Sequence, residues 1–319
     1  MEIKKSKTKL WSKLGSRAVF GMALTNLAET RQDFFVMSAD LCQSSGLIRF
    51  KEKFPERFIN CGIAEQNMIG VAGGMAKDGT PIFATSFSPF ITMRACEQVR
   101  INMGYMQLNI KTVGLGAGLV MAQLGNSHYG IEDVAVMRSI PGMTIISPAD
   151  CAEIVKAVEA LIDYPKPAYL RLTGGPGNPV VYETDYNFEI GRANILREGS
   201  DVAFIAAGTM VYQSLQAAEI LSTHGISSTV VNMHTIKPLD TDVIKKVLTH
   251  KLLVTVEEHT IYGGLGSAVA EFLAPLKNKP PQILVGINDN FPHAGSYEYL
   301  LENCGLTSQQ IAEKILGAL

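Results

Sequence analysis

No long apolar run occurs in this 319-residue chain. The longest candidate, Val113 to Ala122, is broken by three glycines and falls well short of the ~20 residues that cross a bilayer. A membrane-spanning role is therefore not expected. An excess of either charge is also missing. Lys and Arg number 28 against 30 Asp and Glu, a net charge of −2, so no bulk field draws the chain to nucleic acid or anionic lipid. The five cysteines (Cys42, Cys61, Cys96, Cys151, Cys304) are odd in number and contain no CxxC pair. That argues against a disulfide scaffold and for reduced thiols in a cytoplasmic protein. No HExxH or clustered His/Cys spacing marks a metal site. Basic residues Lys4, Lys5, Lys7, Lys9 and Lys13 open the chain. Arg17 interrupts the apolar stretch behind them and no small-x-small site follows, so they read as a solvated lead-in to the first helix rather than a leader.

What is present is apolar substance, 47% of residues, arranged in alternating patterns. Apolar positions 19, 20, 23, 24, 27 and 28 recur at helical spacing, and Phe34-Phe35-Val36-Met37 reads as a buried strand. Further strands are expected at 57–60, 81–85, 110–114, 143–147 and 168–172, with helices from 64 and over 89–103, 131–139 and 150–163. A stretch dense in Gly, Pro, Asn and Asp, 173–187, then carries turn chemistry. A second series follows, with strands at 201–207, 228–233, 252–257 and 282–286 and helices at 211–223, 240–249 and 266–275. The pattern predicts an α/β chain of two consecutive doubly wound, mostly parallel-sheet domains, 1–188 and 189–319. In such sheets ligands gather outside the carboxyl ends of strands, which directs attention to loops 38–46, 60–66, 84–90, 114–130 and 171–178.

One of these loops holds Gly62-Ile63-Ala64-Glu65-Gln66-Asn67-Met68 at the head of a helix. Taken alone, Glu65 answers the helix dipole. As a string, however, the segment resembles the pyrimidine-binding domain of thiamine diphosphate enzymes, transketolases above all. The second half agrees: Ala207-Gly208-Thr209-Met210-Val211, Val231 to Asp240, Val256-Glu257-Glu258-His259 and Gly263 to Ala268 resemble the transketolase C-terminal domain. The likeness is nearest to split transketolases, in which this half is a separate polypeptide. The Gly-Asp-Gly motif with which the family holds the diphosphate and its divalent metal does not occur. Gly114-Leu115-Gly116-Ala117-Gly118 lacks phosphate-loop spacing and reads as an irregular strand-end loop.

The resemblance implies a set of roles. Glu65 would hydrogen-bond the aminopyrimidine of thiamine diphosphate and support the tautomer that activates the cofactor, a task for which burial should raise its pKa. Phe90 and Phe87 would pack on the ring, Ile63 would line the same pocket, and Asp40 would approach the thiazolium side, although Asp40 also suits a loop cap. His128 would contact the donor sugar. Arg17, Ser44 and Arg171 would grip an anionic tail, as converging arginines do. The family's loop before the histidine normally carries an aspartate that reads a donor hydroxyl; here that position is Leu124, within Ala122-Gln123-Leu124-Gly125-Asn126-Ser127-His128.

The resemblance further implies a partner, an N-terminal subunit that holds the diphosphate and a divalent Mg or Ca ion, in a heterotetramer of two copies of each chain. The reaction would be transfer of a two-carbon ketol unit from a ketose or ketose phosphate to an aldehyde. Two alternatives stand beside it: the beta subunit of a 2-oxoacid dehydrogenase-type enzyme, which shares the two-domain layout, and a non-catalytic partner subunit that only completes or regulates an enzyme.

Overall fold

A computed structural model describes residues 2–319. In the first half, β1 (Phe35–Ser38), β2 (Phe58–Asn60), β3 (Ile82–Phe87), β4 (Ile110–Leu115), β5 (Thr144–Ile146) and β6 (Ala168–Leu172) form where apolar runs are bounded by turn residues. In the second half lie β7 (Asn194–Arg197), β8 (Val202–Ala206), β9 (Ser228–Asn232), β10 (Thr235–Lys237), β11 (Leu252–Thr260) and β12 (Gln282–Ile287). The central strands β3, β4, β6 and β8 are buried at every residue, as expected for parallel strands covered by helices on both faces.

The strands build a seven-stranded sheet, β10-β5-β6-β4-β3-β1-β2, and a five-stranded sheet, β12-β11-β8-β9-β7. All pairings are parallel except β10 with β5 and β7 with β9. β10 belongs to the second half of the sequence yet closes the edge of the first sheet, with Thr235 opposite Ile146. The two halves thus share a sheet. In the first sheet the chain leaves β1 toward β2 on one side, then returns past β1 to β3 and continues to β4 on the other. Winding reverses between β1 and β3, the switch point at which crevices open in such sheets.

Several elements differ from the sequence reading. The basic lead-in is itself a helix, Lys5–Leu14, anchored by the buried Thr8 and Trp11. The helix expected over 89–103 is wound differently. Wider i→i+5 turns at Phe90–Arg94 and Arg100–Tyr105 flank a single α-helical turn, Cys96–Val99. Such widened turns recur at functional sites. Strands β7 and β10 and the closing helices Tyr297–Asn303 and Ser308–Leu316 were not foreseen.

Candidate active site

Three strand exits converge on one carboxylate. The turn after β2 ends at Gly62, whose φ of 68° is left-handed. Glu65 then opens the helix Glu65–Met75 with no side-chain cap before it, so its charge meets the free N–H groups of the first turn. Its side chain is 2% exposed. Ser86, near the end of β3, donates Oγ–H to Glu65 Oε1 at 2.8 Å, and Arg94 Nη1 donates to Oε2 at 2.8 Å. The Arg94 guanidinium also lies over the Phe90 ring, 4.1 Å from its centroid. Phe90 meets Phe87 edge-on at 6.1 Å and His128 at 5.3 Å, and His128 meets Phe87 at 5.8 Å. Edge-to-face packing of this kind adds about 1 kcal/mol beyond burial. Ser127 Oγ sits 3.0 Å from His128 Nδ1, which leaves Nε2 without a hydrogen-bond partner among the described residues. The structure therefore joins Glu65, Phe87, Phe90 and His128 in one cluster, and adds Arg94 and Ser86, which the sequence reading passed over.

One expectation about Glu65 is corrected. Burial pushes its carboxyl up, but the Arg94 guanidinium, the Ser86 hydroxyl and the helix-terminal backbone outweigh that, and the net shift is downward. In this arrangement Glu65 is a carboxylate ion-paired to Arg94 rather than a proton-sharing acid.

A second recess lies beside the start of the helix Ser16–Leu27. About 260 Å³ in volume, it is lined by Arg17, Gln43, Ser44, Gly46 and the Gly174–Pro176 turn after β6, among others. Gly46 belongs to its wall and is backed by a second glycine. Gly21 packs directly on the carbonyl of Gly46, where a Cβ would collide, and Gly46 itself is left-handed at φ 70°. The Arg17 side chain makes no hydrogen bond or ion pair among the described residues, and burial pushes its pKa below the ordinary guanidinium value. An unpaired, half-buried cation beside a serine and turn amides suits an anion.

Arg171 does not join that recess. Its guanidinium is buried under the sheet: Nε donates to Asp133 Oδ2 at 2.8 Å, and Nη2 donates to the carbonyls of Gly130 and Glu258 at 2.9 Å each. Asp133 further accepts from Tyr169 Oη at 2.6 Å and Ser88 Oγ at 2.9 Å. The side chains of the pair are 3% and 0% exposed, so Arg171 braces the two halves, and it is not among the residues that line the Arg17 recess. The structure thus sets Arg171 apart from Arg17 and Ser44, with which it was expected to converge.

Of the remaining expected residues, Asp40 exchanges hydrogen bonds with Asn60, its N–H to Asn60 Oδ1 at 3.0 Å and its carboxylate from Asn60 Nδ2 at 2.9 Å. It holds φ 58° in doing so, a strained conformation for a residue other than glycine. Ile63 is 78% exposed and Leu124 53% exposed, the latter in the turn Ala122–Leu124 of the His128 loop. The glycine-rich loop after β4 is explained by Glu258, which accepts from Leu119 N at 2.6 Å; a Cβ on Gly118 would strike that carboxylate.

Glu65 and Phe90 also suit an aminopyrimidine on chemical grounds. A planar, N–H-bearing group, here a guanidinium, already spans the two. Among the described residues no group of three His, Cys, Asp or Glu side chains is placed to hold a metal ion, and no helix is long and apolar enough to cross a membrane.

Comparison with known proteins agrees along nearly the whole chain. Residues 12–175 match the transketolase pyrimidine-binding domain and residues 191–311 the transketolase C-terminal domain. A putative transketolase C-terminal section from Methanocaldococcus jannaschii is 41% identical, over 95% of each chain. A 6-deoxy-6-sulfo-D-fructose transketolase subunit from Clostridium sp. is 40% identical, over 90% of this chain and 89% of that one. Among solved structures, a split-gene transketolase described as an inactive β4 tetramer superposes with a TM-score of 0.88 at 39% identity, covering 96% of this chain and 98% of the other. With both halves matched and identities above 30% over nearly full length, the chain belongs to the transketolase family.

Proposed function

We propose that this chain is the C-terminal subunit of a split, thiamine diphosphate-dependent transketolase, which moves a two-carbon ketol unit from a ketose donor to an aldehyde. The observation that carries the reading is the buried Glu65 carboxylate, bonded to Ser86 and to Arg94, whose guanidinium lies over Phe90, the ring that in turn meets His128. Thiamine diphosphate, when bound, supplies the carbon nucleophile and electron sink for carbon–carbon cleavage. Glu65 would hold the proton shared with the pyrimidine ring nitrogen, and Phe90 would pack on the ring face. His128, oriented through Ser127, would offer Nε2 to a donor hydroxyl. Arg17 and Ser44 would receive an anionic tail, a phosphate or a sulfonate, which fits the unpaired guanidinium of that recess. Asp40 and Ile63 would border the cofactor from the strand exits.

The pyrimidine-binding half, taken as 1–188, and the C-terminal half, 189–319, lack the Gly-Asp-Gly diphosphate motif. A partner N-terminal subunit would bring it together with Mg or Ca, in an assembly of two copies of each chain in the cytoplasm. The test is reconstitution with that partner. Calorimetry should find tight thiamine diphosphate binding only in the complex, and turnover on ketose phosphates but not on pyruvate. Tight, metal-dependent binding by the lone chain would defeat the split site. Turnover on pyruvate would favour a 2-oxoacid dehydrogenase-type enzyme, and no turnover would favour a non-catalytic partner.

A further inference from the structure

Arg94 sits where two site residues have to be shared. One face of its guanidinium lies on Phe90, 4.1 Å from the ring centroid, while its Nη1 donates to Glu65 Oε2 at 2.8 Å. The aminopyrimidine proposed above needs both contacts: the aromatic face for packing and the carboxylate for its ring nitrogen. Two planar groups cannot occupy the same face of one phenyl ring. We propose that Arg94 is a place-holder, filling the aminopyrimidine's position in the cofactor-free subunit and swinging out when the cofactor binds. The inference rests on the reading of Glu65 and Phe90 as the pyrimidine site.

The chemistry of the free subunit calls for such a group. A carboxylate left 2% exposed without a counter-charge is costly, and Arg94 is the cation that pairs with it. A guanidinium is suited to the task because it is flat, carries several N–H donors and stacks on rings. Arg94 is also free to leave. Its side chain is 44% exposed, its neighbour Met93 is 50% exposed, and the exposed Glu97 carboxylate, which already pairs with Arg100, lies three residues along the same segment. The i→i+5 winding of Phe90–Arg94 sets the arginine over the ring one turn earlier. Departure of Arg94 removes the charge that holds Glu65 ionised, and the carboxyl can then share a proton with the ring nitrogen that replaces it. A single exchange both admits the cofactor and prepares the acid.

The displaced contacts, one cation–π stack and one half-exposed ion pair, are lost from the free state on binding. Removing them in advance should tighten binding on the order of 3- to 30-fold. The experiment compares thiamine diphosphate affinity by calorimetry in the reconstituted complex for wild type, Arg94→Met and Arg94→Lys, with the melting temperature of each free chain. Arg94→Met should bind more tightly while its free chain melts lower, because Glu65 is left unpaired. Arg94→Lys, which keeps the charge and loses the plane, should fall between. Unchanged or weaker binding by Arg94→Met, in a complex whose wild type binds the cofactor, would overturn the proposal and leave Arg94 beside the bound ring. If the wild-type complex binds no cofactor at all, the pyrimidine-site reading itself fails, and the place-holder role fails with it.

Discussion

Replacing Arg171 with methionine keeps an unbranched apolar stem and removes the guanidinium, leaving Asp133 buried without its counter-charge. The pair is fully enclosed, at 3% and 0% exposure, so the cost is that of breaking a buried ion pair by deleting one partner, about 3–5 kcal/mol. The Glu258 carbonyl also loses the Arg171 donor, while that of Gly130 keeps the Gly118 N–H. Against a total stability of roughly 5–15 kcal/mol for an ordinary domain, the variant should remain folded but with a urea midpoint well below wild type. The pH dependence has a definite sign. Burial pushes the Asp133 carboxyl up, but Arg171 and the Tyr169 hydroxyl hold its net value below the usual range. A carboxyl depressed in the fold contributes stability above its unfolded pKa of about 3.9, which is lost as pH falls through the folded value. Wild type should therefore lose stability below about pH 4 more steeply than Arg171→Met. Equilibrium urea unfolding at pH 7 and across the acid range measures both effects. A variant as stable as wild type within 1 kcal/mol, the error of the method, but with a KM for a phosphorylated donor raised 100-fold or more would refute the bracing role and restore Arg171 as a substrate ligand.

Three other outcomes are expected. Glu65→Gln should keep fold and assembly in the reconstituted enzyme yet slow thiazolium proton exchange, followed by NMR, at least ~100-fold, because an amide cannot share the proton; an unchanged rate would remove Glu65 from activation. Leu124→Asp should raise the efficiency of the reconstituted enzyme on xylulose 5-phosphate relative to a deoxy analogue, since leucine leaves a donor hydroxyl unpaired at a cost of about 1–3 kcal/mol; equal ratios for both proteins would show that Leu124 does not set donor choice. Burial pushes the Lys111 ammonium down to about 7, below its unfolded value near 10.4, so wild-type stability should rise between pH 7 and 10 by about 1 kcal/mol per unit. Lys111→Met should flatten that slope, and above pH 10 it should be less stable than wild type, because the carbonyls of Tyr164 and Lys166 lose their donor.

The sequence carried the parts that repeat or punctuate. Parallel strands such as β4 and β8 are apolar at nearly every position, because both faces are covered, and short dense runs of that kind are legible. The helix Lys5–Leu14 was not, because its periodicity is polar and only Thr8 and Trp11 are buried. β10 is three residues long and pairs with β5 across some ninety residues of chain, a partnership no local pattern announces. At the site, the string around Glu65 was legible through resemblance, but its electrostatics were not. The residue that reverses the expected pKa shift, Arg94, lies 29 residues away and reaches Glu65 through a widened helical turn that leaves the apolar spacing intact. The partner of Arg171 was hidden for the same reason. It ends a strand at the productive edge of the sheet, and only the fold reveals that Asp133, 38 residues earlier, points back beneath it.

These buried partners explain why the second half matters to a site to which it lends no expected contact residue. Glu258, at the end of β11, takes the Leu119 amide with one oxygen and the hydroxyls of Thr209 and Tyr297 with the other, while its carbonyl holds Arg171. Leu119 begins the loop that ends at His128, and that loop is tied down again where Tyr129 Oη donates to Ala122 O at 2.6 Å. His259, next in β11, accepts the Ala135 amide at 3.3 Å and lies beside Asp133 at 3.9 Å. A buried polar network in which every member is bonded fixes one arrangement far more narrowly than apolar packing does. The His128 loop therefore takes its position from the second half of the chain, and Phe87, Phe90 and Glu65 take theirs from the first. The cluster of Glu65, Phe87, Phe90 and His128 keeps its arrangement because β10 and the Asp133–Arg171–Glu258 chain of contacts hold those halves in register.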